Sequence, residues 1–86
     1  MYEKIDPATD QSIAALLRAS RKSKGLTQRQ VADKAGLLIR HYTRFECCER
    51  SLLVASFNTT MAVLEAPDID PDYFAATYVD AYNQSV

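Results

Sequence analysis

The stretch Lys24-Gly25-Leu26-Thr27-Gln28-Arg29-Gln30-Val31-Ala32-Asp33-Lys34-Ala35-Gly36, continuing through Leu37-Leu38-Ile39-Arg40-His41-Tyr42-Thr43-Arg44-Phe45-Glu46 to Arg50, decides how this chain folds. Thr27 offers a side-chain oxygen to the unpaired N–H groups of a helix start. Val31, Ala32 and Ala35 then supply a small apolar face, and Gly36 ends the element, because a left-handed residue closes a helix and glycine adopts that conformation without steric cost. The spacing predicts a short helix over about residues 28–35. After Gly36-Leu37 a third helical segment follows. By i+3 and i+4 spacing Tyr42, Phe45 and Glu49 fall on one side of it, while Arg40, Thr43, Arg44 and Cys47 fall on the other.

Outward from this stretch the pattern stays helical. Asp6-Pro7 is a capping residue followed by proline at the first helical position, and Ile13, Leu16 and Leu17 form a stripe that runs to Gly25, predicting helix 1 over about residues 7–24. Phe57, Met61, Val63 and Leu64 define helix 4, which Ala66-Pro67 should stop, since a residue before proline is pushed out of the α region. Asp70-Pro71 repeats the capped start, and Phe74, Tyr78, Val79 and Tyr82 mark helix 5 over about 71–82. No β-branched alternation is long enough for a strand. The 86 residues have room for one unit, taken as a single domain with its core over about 7–75.

The formal net charge is −1, but nine of the ten basic residues lie within positions 18–50, opposed there only by Asp33, Glu46 and Glu49, for a local net of +6. Residues 51–86 have no Lys or Arg and carry Glu65, Asp68, Asp70, Asp72 and Asp80, a net of −5. A concentrated basic block ahead of an acidic third reads as an anion-binding element backed by a segment directed elsewhere. Catalysis finds nothing to build on: one histidine, no carboxylate pair in a cleft-forming motif and no phosphate-binding glycine loop. Cys47 and Cys48 are adjacent, the wrong spacing for a structural disulfide and unlike the paired CxxC arrangement of zinc sites, so neither metal nor other cofactor is expected. Reduced cysteines, and no apolar run of the roughly 20 residues a membrane helix needs, give a soluble cytoplasmic protein with no membrane partner as the expectation. Cys47 lies near the basic block, which makes a redox-sensing thiol conceivable beside an ordinary surface one.

Two short helices joined by a turn of about four residues, the second with outward basic residues, have the shape of a DNA-binding helix-turn-helix. Lys24-Gly25-Leu26-Thr27-Gln28, Val31-Ala32, Ala35-Gly36, Tyr42, Arg44-Phe45-Glu46 and Glu49-Arg50 together resemble the helix-turn-helix of Cro and phage-repressor type (XRE-like) regulators, over about residues 13–75. Ile39-Arg40-His41-Tyr42 with Ala55-Ser56-Phe57 is similar to a group of stand-alone regulators within that family. The resemblance implies an all-α, compact five-helix bundle of the lambda-repressor-like type, with helices 2 and 3 as the helix-turn-helix.

It also implies roles for particular residues. Gln28 would bind a phosphate at the N-terminus of helix 2, and Thr27 would cap that helix and assist. Arg40 and Arg44, one turn apart, would reach base edges in the major groove, with Thr43 placed to touch a thymine methyl. Arg50 would contact the backbone after helix 3. Arg21 and Glu46 would form an ion pair that pins helix 3 to the scaffold. Four positions depart from the family pattern: Leu38 and Ile39 stand where a capping Ser or Thr is usual before helix 3, Cys48 stands where glycine permits a left-handed turn, and Pro67 replaces a core leucine. Ile39 either packs toward helix 2 or makes an apolar contact to thymine.

The function so implied is sequence-specific binding of double-stranded DNA by a transcriptional regulator without cofactor. A homodimer through helix 5, with Tyr73, Phe74, Tyr78 and Tyr82 at its surface, would supply two half-sites, unless these aromatics only close the core of helices 1 and 4. The alternative is a protein-interaction module on the same fold with weakened DNA binding: an adaptor, an antitoxin-like binder or a phage accessory protein.

Overall fold

The computed structural model describes residues 7–79, and every regular element among them is helical. Helix α1 spans Pro7–Ser23, α2 Gln28–Ala35, α3 Ile39–Glu46, α4 Phe57–Glu65 and α5 the single turn Pro71–Phe74. A 3₁₀ turn, Leu52–Val54, connects α3 to α4, and a wider π-helical turn, Ala75–Val79, continues α5. The expected helix 5 over 71–82 is therefore an α-turn that loosens after Phe74, and residues 80–82 lie outside the described residues. The Cα radius of gyration is 12.1 Å, close to the ~12 Å of a compact chain of this length.

The starts of α2, α4 and α5 are each fixed by a local bond that the sequence dictates. Thr27 Oγ1 accepts from the Gln30 N–H while Gln30 Oε1 accepts from the Thr27 N–H, a reciprocal capping box. Ser56 Oγ accepts from Thr59 at the start of α4, and Asp70 accepts from Asp72 ahead of Pro71. Helix α3 lacks such a bond, because Leu38 has no acceptor in its side chain, as its sequence foretells.

The ends of α1 to α4 share one device. Gly25, Gly36, Cys48 and Asp68 have φ of 69°, 72°, 63° and 60°. After each of them the next N–H reaches back five residues: Leu26 to Arg21, Leu37 to Ala32, Glu49 to Arg44 and Ile69 to Leu64. This is the long bond of the Schellman ending, which is usually sealed by an apolar residue just past the left-handed one. Leu26, Leu37 and Ile69 provide that seal by packing on the core. Glu49 does not, and it is exposed. Helix α4 ends at Glu65 as expected, but Ala66 keeps helical angles of −56° and −46° in front of Pro67. The reversal is made by Asp68, not by the residue before proline.

Cys48 carries the left-handed strain that its position implies. Cys48→Gly should raise the free energy of unfolding by a few tenths to about 1 kcal/mol. The denaturant midpoint is the measurement; a lower midpoint for the glycine variant would mean that the thiol's contact with the Asp10 carbonyl, 3.8 Å away, outweighs the backbone strain.

Helix α2 sits at the centre, packed on α3 and α4, while α1 crosses α3 and α5 lies against α4. Ile13 and Leu17 of α1, Val31 of α2, Tyr42 and Phe45 of α3, and Val63 and Leu64 of α4 fill the core with Leu52. Phe74 is buried and stacks at 5.3 Å on Tyr78, which is half-buried against the core. Of the four aromatics expected at a dimer surface, Phe74 thus sits in the chain's own core and Tyr78 packs against it. Tyr73 is 52% exposed, and Tyr82 lies outside the described residues. Phe57, read as part of the apolar face of helix 4, is 76% exposed at the first position of α4.

Candidate nucleic-acid interface

The interface is built around Glu46, the last residue of α3. The sequence periodicity put Glu49 beside Tyr42 and Phe45 on the buried side; the buried carboxylate is Glu46 instead, because α3 ends there and the left-handed Cys48 swings Glu49 outward. Arg21 Nε donates to Glu46 Oε2 at 2.7 Å and Arg21 Nη2 to Oε1 at 3.2 Å, a two-pronged pair. Tyr42 Oη donates to Oε2, and Gln28 Nε2 donates to Oε1 at 3.0 Å. Arg21 Nη1 also donates to the Leu26 carbonyl, and Arg18, one turn earlier on α1, donates to the Glu46 carbonyl. Two arginines of α1 therefore grip the side chain and the backbone at the end of α3, where a cation also complements the helix dipole.

Burial alone would push the Glu46 carboxyl up; hydrogen bonds from Arg21, Tyr42 and Gln28, together with the Arg21 charge, outweigh it and hold the group below its ordinary 4.5. The bond to Glu46 raises the Arg21 guanidinium further, against the opposing effect of its own burial. Burial, and then the bond to Glu46, keep the Tyr42 phenol protonated far above its usual range. A carboxyl depressed in the folded state contributes stability that is fully present above its unfolded pKa and is lost as pH falls through the folded one. Melting temperature should therefore drop on acidification from about pH 5 toward 3, and Glu46→Gln should flatten that part of the curve. Parallel curves for the two proteins would remove Glu46 from the acid response.

With Glu46 facing inward, the outward side of α3 is left to Arg40, Arg44 and Cys47, which follow one another at i, i+4 and i+7 and are all exposed. Thr43 lies on one flank, its hydroxyl donating to the Arg40 carbonyl at 3.1 Å, which leaves its methyl as the free end. His41 lies on the other flank. Cys47 and Cys48 are both free thiols at the exposed end of the helix.

Two depressions border this face. One is an open groove at the N-terminus of α2, lined by Thr27, Gln28, Arg29 and Ile39. Ile39 is half-buried there and packs on the core, toward α2. The other is a cleft of about 320 Å³ between α3 and α4, lined by Leu37, His41, Arg44, Phe45, Arg50, Ala55, Ser56 and Thr59. Helix α2 opens on the first groove and α4 on the second, each with first-turn N–H groups that its own helix cannot satisfy.

The sequence-derived site residues are thus brought to one side of the molecule. Thr27, Gln28, Arg40, Thr43, Arg44 and Arg50 all line the α3 face or its two borders. Gln28 differs from expectation in one respect: one hydrogen of its amide is given to Glu46, so it ties α2 to α3 and has only its second amide hydrogen for any anion. His41, read from the sequence as a flank residue of this face and more a surface histidine than a base reader, lies on that flank. Arg29 and Ser56 were not singled out; of these two Ser56 carried a readable signal, a capping side chain ahead of an apolar helical pattern.

Among the described residues the ion pairs are Arg21–Glu46 and the exposed Lys24–Asp68. Arg29, Arg40, Arg44 and Arg50 make none, so the cations that border α3 have no carboxylate partner there. No set of three His, Cys, Asp or Glu among the described residues is placed to hold a metal ion. None of the described helices is long and apolar enough to cross a membrane. In comparisons with protein-family models, curated proteins and solved structures, the chain has no match.

Proposed function

We propose that this chain is a sequence-specific DNA-binding protein, a transcriptional regulator of the Cro and phage-repressor type, with α2 and α3 as a lambda-repressor-like helix-turn-helix and α3 lying in the major groove. One observation carries this reading: Arg40 and Arg44 stand one turn apart on the outward face of α3, without carboxylate partners among the described residues, between two borders that each combine a helix N-terminus with an arginine. A major groove is flanked by two phosphate backbones. The α2 border, with Thr27, Gln28 and Arg29, suits one backbone, and the α4 border, with Arg50 and Ser56, suits the other. Arginine forks between them match the O6 and N7 acceptors of guanine. Arg21, largely buried and tied to Glu46, serves to hold α3 in place. Two copies on half-sites roughly 34 Å apart would extend the short footprint of one module.

The test is titration of a labelled random-sequence duplex at low and moderate salt. Affinity should fall steeply, with log K against log salt sloping by about −0.9 for each phosphate neutralised. Absence of binding at low salt would overturn the reading. A protein-interaction module on the same fold would then take its place, favoured by Leu38, which is 53% exposed at the uncapped start of α3.

A further inference from the structure

We infer that the cleft between α3 and α4 binds a small aromatic carboxylate and that this ligand competes with DNA for Arg44; the competition, though not the binding, rests on the function proposed above. Leu37, Phe45 and Ala55 give the cleft an apolar wall, and Arg44 and Arg50 stand on its rim. Neither guanidinium has a carboxylate within ion-pair distance among the described residues. Two like charges facing one depression are best matched by a shared anion, and guanidinium forks match the two oxygens of a carboxylate. A DNA phosphate would use that rim but would leave the apolar wall against water. A ligand with an anionic head and a flat apolar body uses both. The volume of about 320 Å³ falls at the lower end of the roughly 300–1,000 Å³ of small-ligand sites, which favours a single ring.

The cleft is also held in shape. Arg44 and Arg50 are linked through the backbone, since the Arg50 N–H donates to the Arg44 carbonyl at 3.3 Å. The opposite wall is anchored by Thr60, whose hydroxyl donates to the Leu52 carbonyl. Because Arg44 belongs both to the outward face of α3 and to this rim, it cannot reach a base while it holds a ligand. An occupied cleft therefore weakens DNA binding.

The experiment is an amide-resolved NMR titration of the full chain, without DNA, using benzoate, benzamide and inorganic phosphate as probes. Benzoate should give saturable shifts at Leu37, Phe45 and Ala55. Benzamide, which lacks the charge, and phosphate, which lacks the ring, should each bind weaker by about tenfold or more. Arg50→Gln, at a side chain that makes no bond among the described residues, should weaken benzoate to a similar degree. Ala55→Leu should exclude benzoate by filling the wall. Benzoate shifts that do not saturate, or phosphate binding as tight as benzoate, would overturn the site. In a second arm, saturating benzoate should weaken duplex binding by the wild-type chain about as much as Arg44→Ala does. Benzoate bound in the cleft of a protein that binds no duplex would uphold the site and sink the DNA reading. A duplex affinity unchanged when the cleft is saturated would sink the competition alone.

Discussion

Glu46→Ala is expected to lower the free energy of unfolding by about 3–5 kcal/mol, the range for removing one partner of a buried ion pair. Glu46 is 1% exposed and accepts from Arg21, Tyr42 and Gln28. Its removal leaves the Arg21 guanidinium, only 12% exposed, without the carboxylate that balances its charge, the Leu26 carbonyl being the acceptor it keeps. Domains of this size are stable by about 5–15 kcal/mol in total, so the variant should be partly unfolded near physiological temperature. Arg21→Ala should be similarly damaging, because it strands the carboxylate instead. The double variant should lose clearly less than the sum, since the second substitution relieves the charge stranded by the first. Tyr42→Phe removes one hydrogen bond to a charged acceptor and should cost less, about 1.5–3 kcal/mol. Chemical denaturation of the four proteins is the measurement. Additive losses for Arg21 and Glu46 would mean that the two side chains act separately despite their 2.7 Å contact.

What could be read without the structure was whatever is encoded within a few residues. Thr27, Gly25, Gly36 and the Asp70-Pro71 pair mark helix boundaries through bonds that close over three to five residues, and the observed α1 and α2 end within about one residue of where those signals put them. The left-handed turn at Cys48 was legible only by its resemblance to a position that favours glycine. The turn at Asp68 was not legible at all, since aspartate tolerates that conformation without announcing it. Glu46 was singled out through its pairing with Arg21; helical spacing alone allows both Glu46, at i+4 from Tyr42, and Glu49, and the end of the helix decides between them. Gln28 shows the deeper limit. An amide at the start of a helix can serve a phosphate or a carboxylate equally well, and the choice is made by Glu46, eighteen positions away. The α3–α4 cleft is of the same kind: Leu37, Arg50 and Ser56 meet only because the 3₁₀ turn Leu52–Val54 folds α4 back beside α3.

The contrast between base and backbone contacts decides the function. If α3 lies in the major groove, Arg44→Ala should lose about 1–3 kcal/mol on a preferred duplex and relax the preference at one base position, because a bidentate fork on guanine discriminates by that much. Arg40→Ala should do the same at a neighbouring position, since Arg40 shares the exposed face one turn earlier. Gln28→Ala is a poor backbone control, for its amide also supports Glu46. Arg29→Gln is the better one: it borders the α2 groove, is exposed and makes no ion pair among the described residues. It should weaken all sequences alike and reduce the salt slope by about one, because phosphate contacts carry no sequence information. Competition titrations with selected and scrambled duplexes separate these outcomes. Were both Arg40→Ala and Arg44→Ala to bind like wild type at low salt, the outward face of α3 would not be the DNA-reading surface. The exposed arginines and the uncapped, apolar start of α3 at Leu38 would then point to a protein partner with an acidic, partly apolar surface.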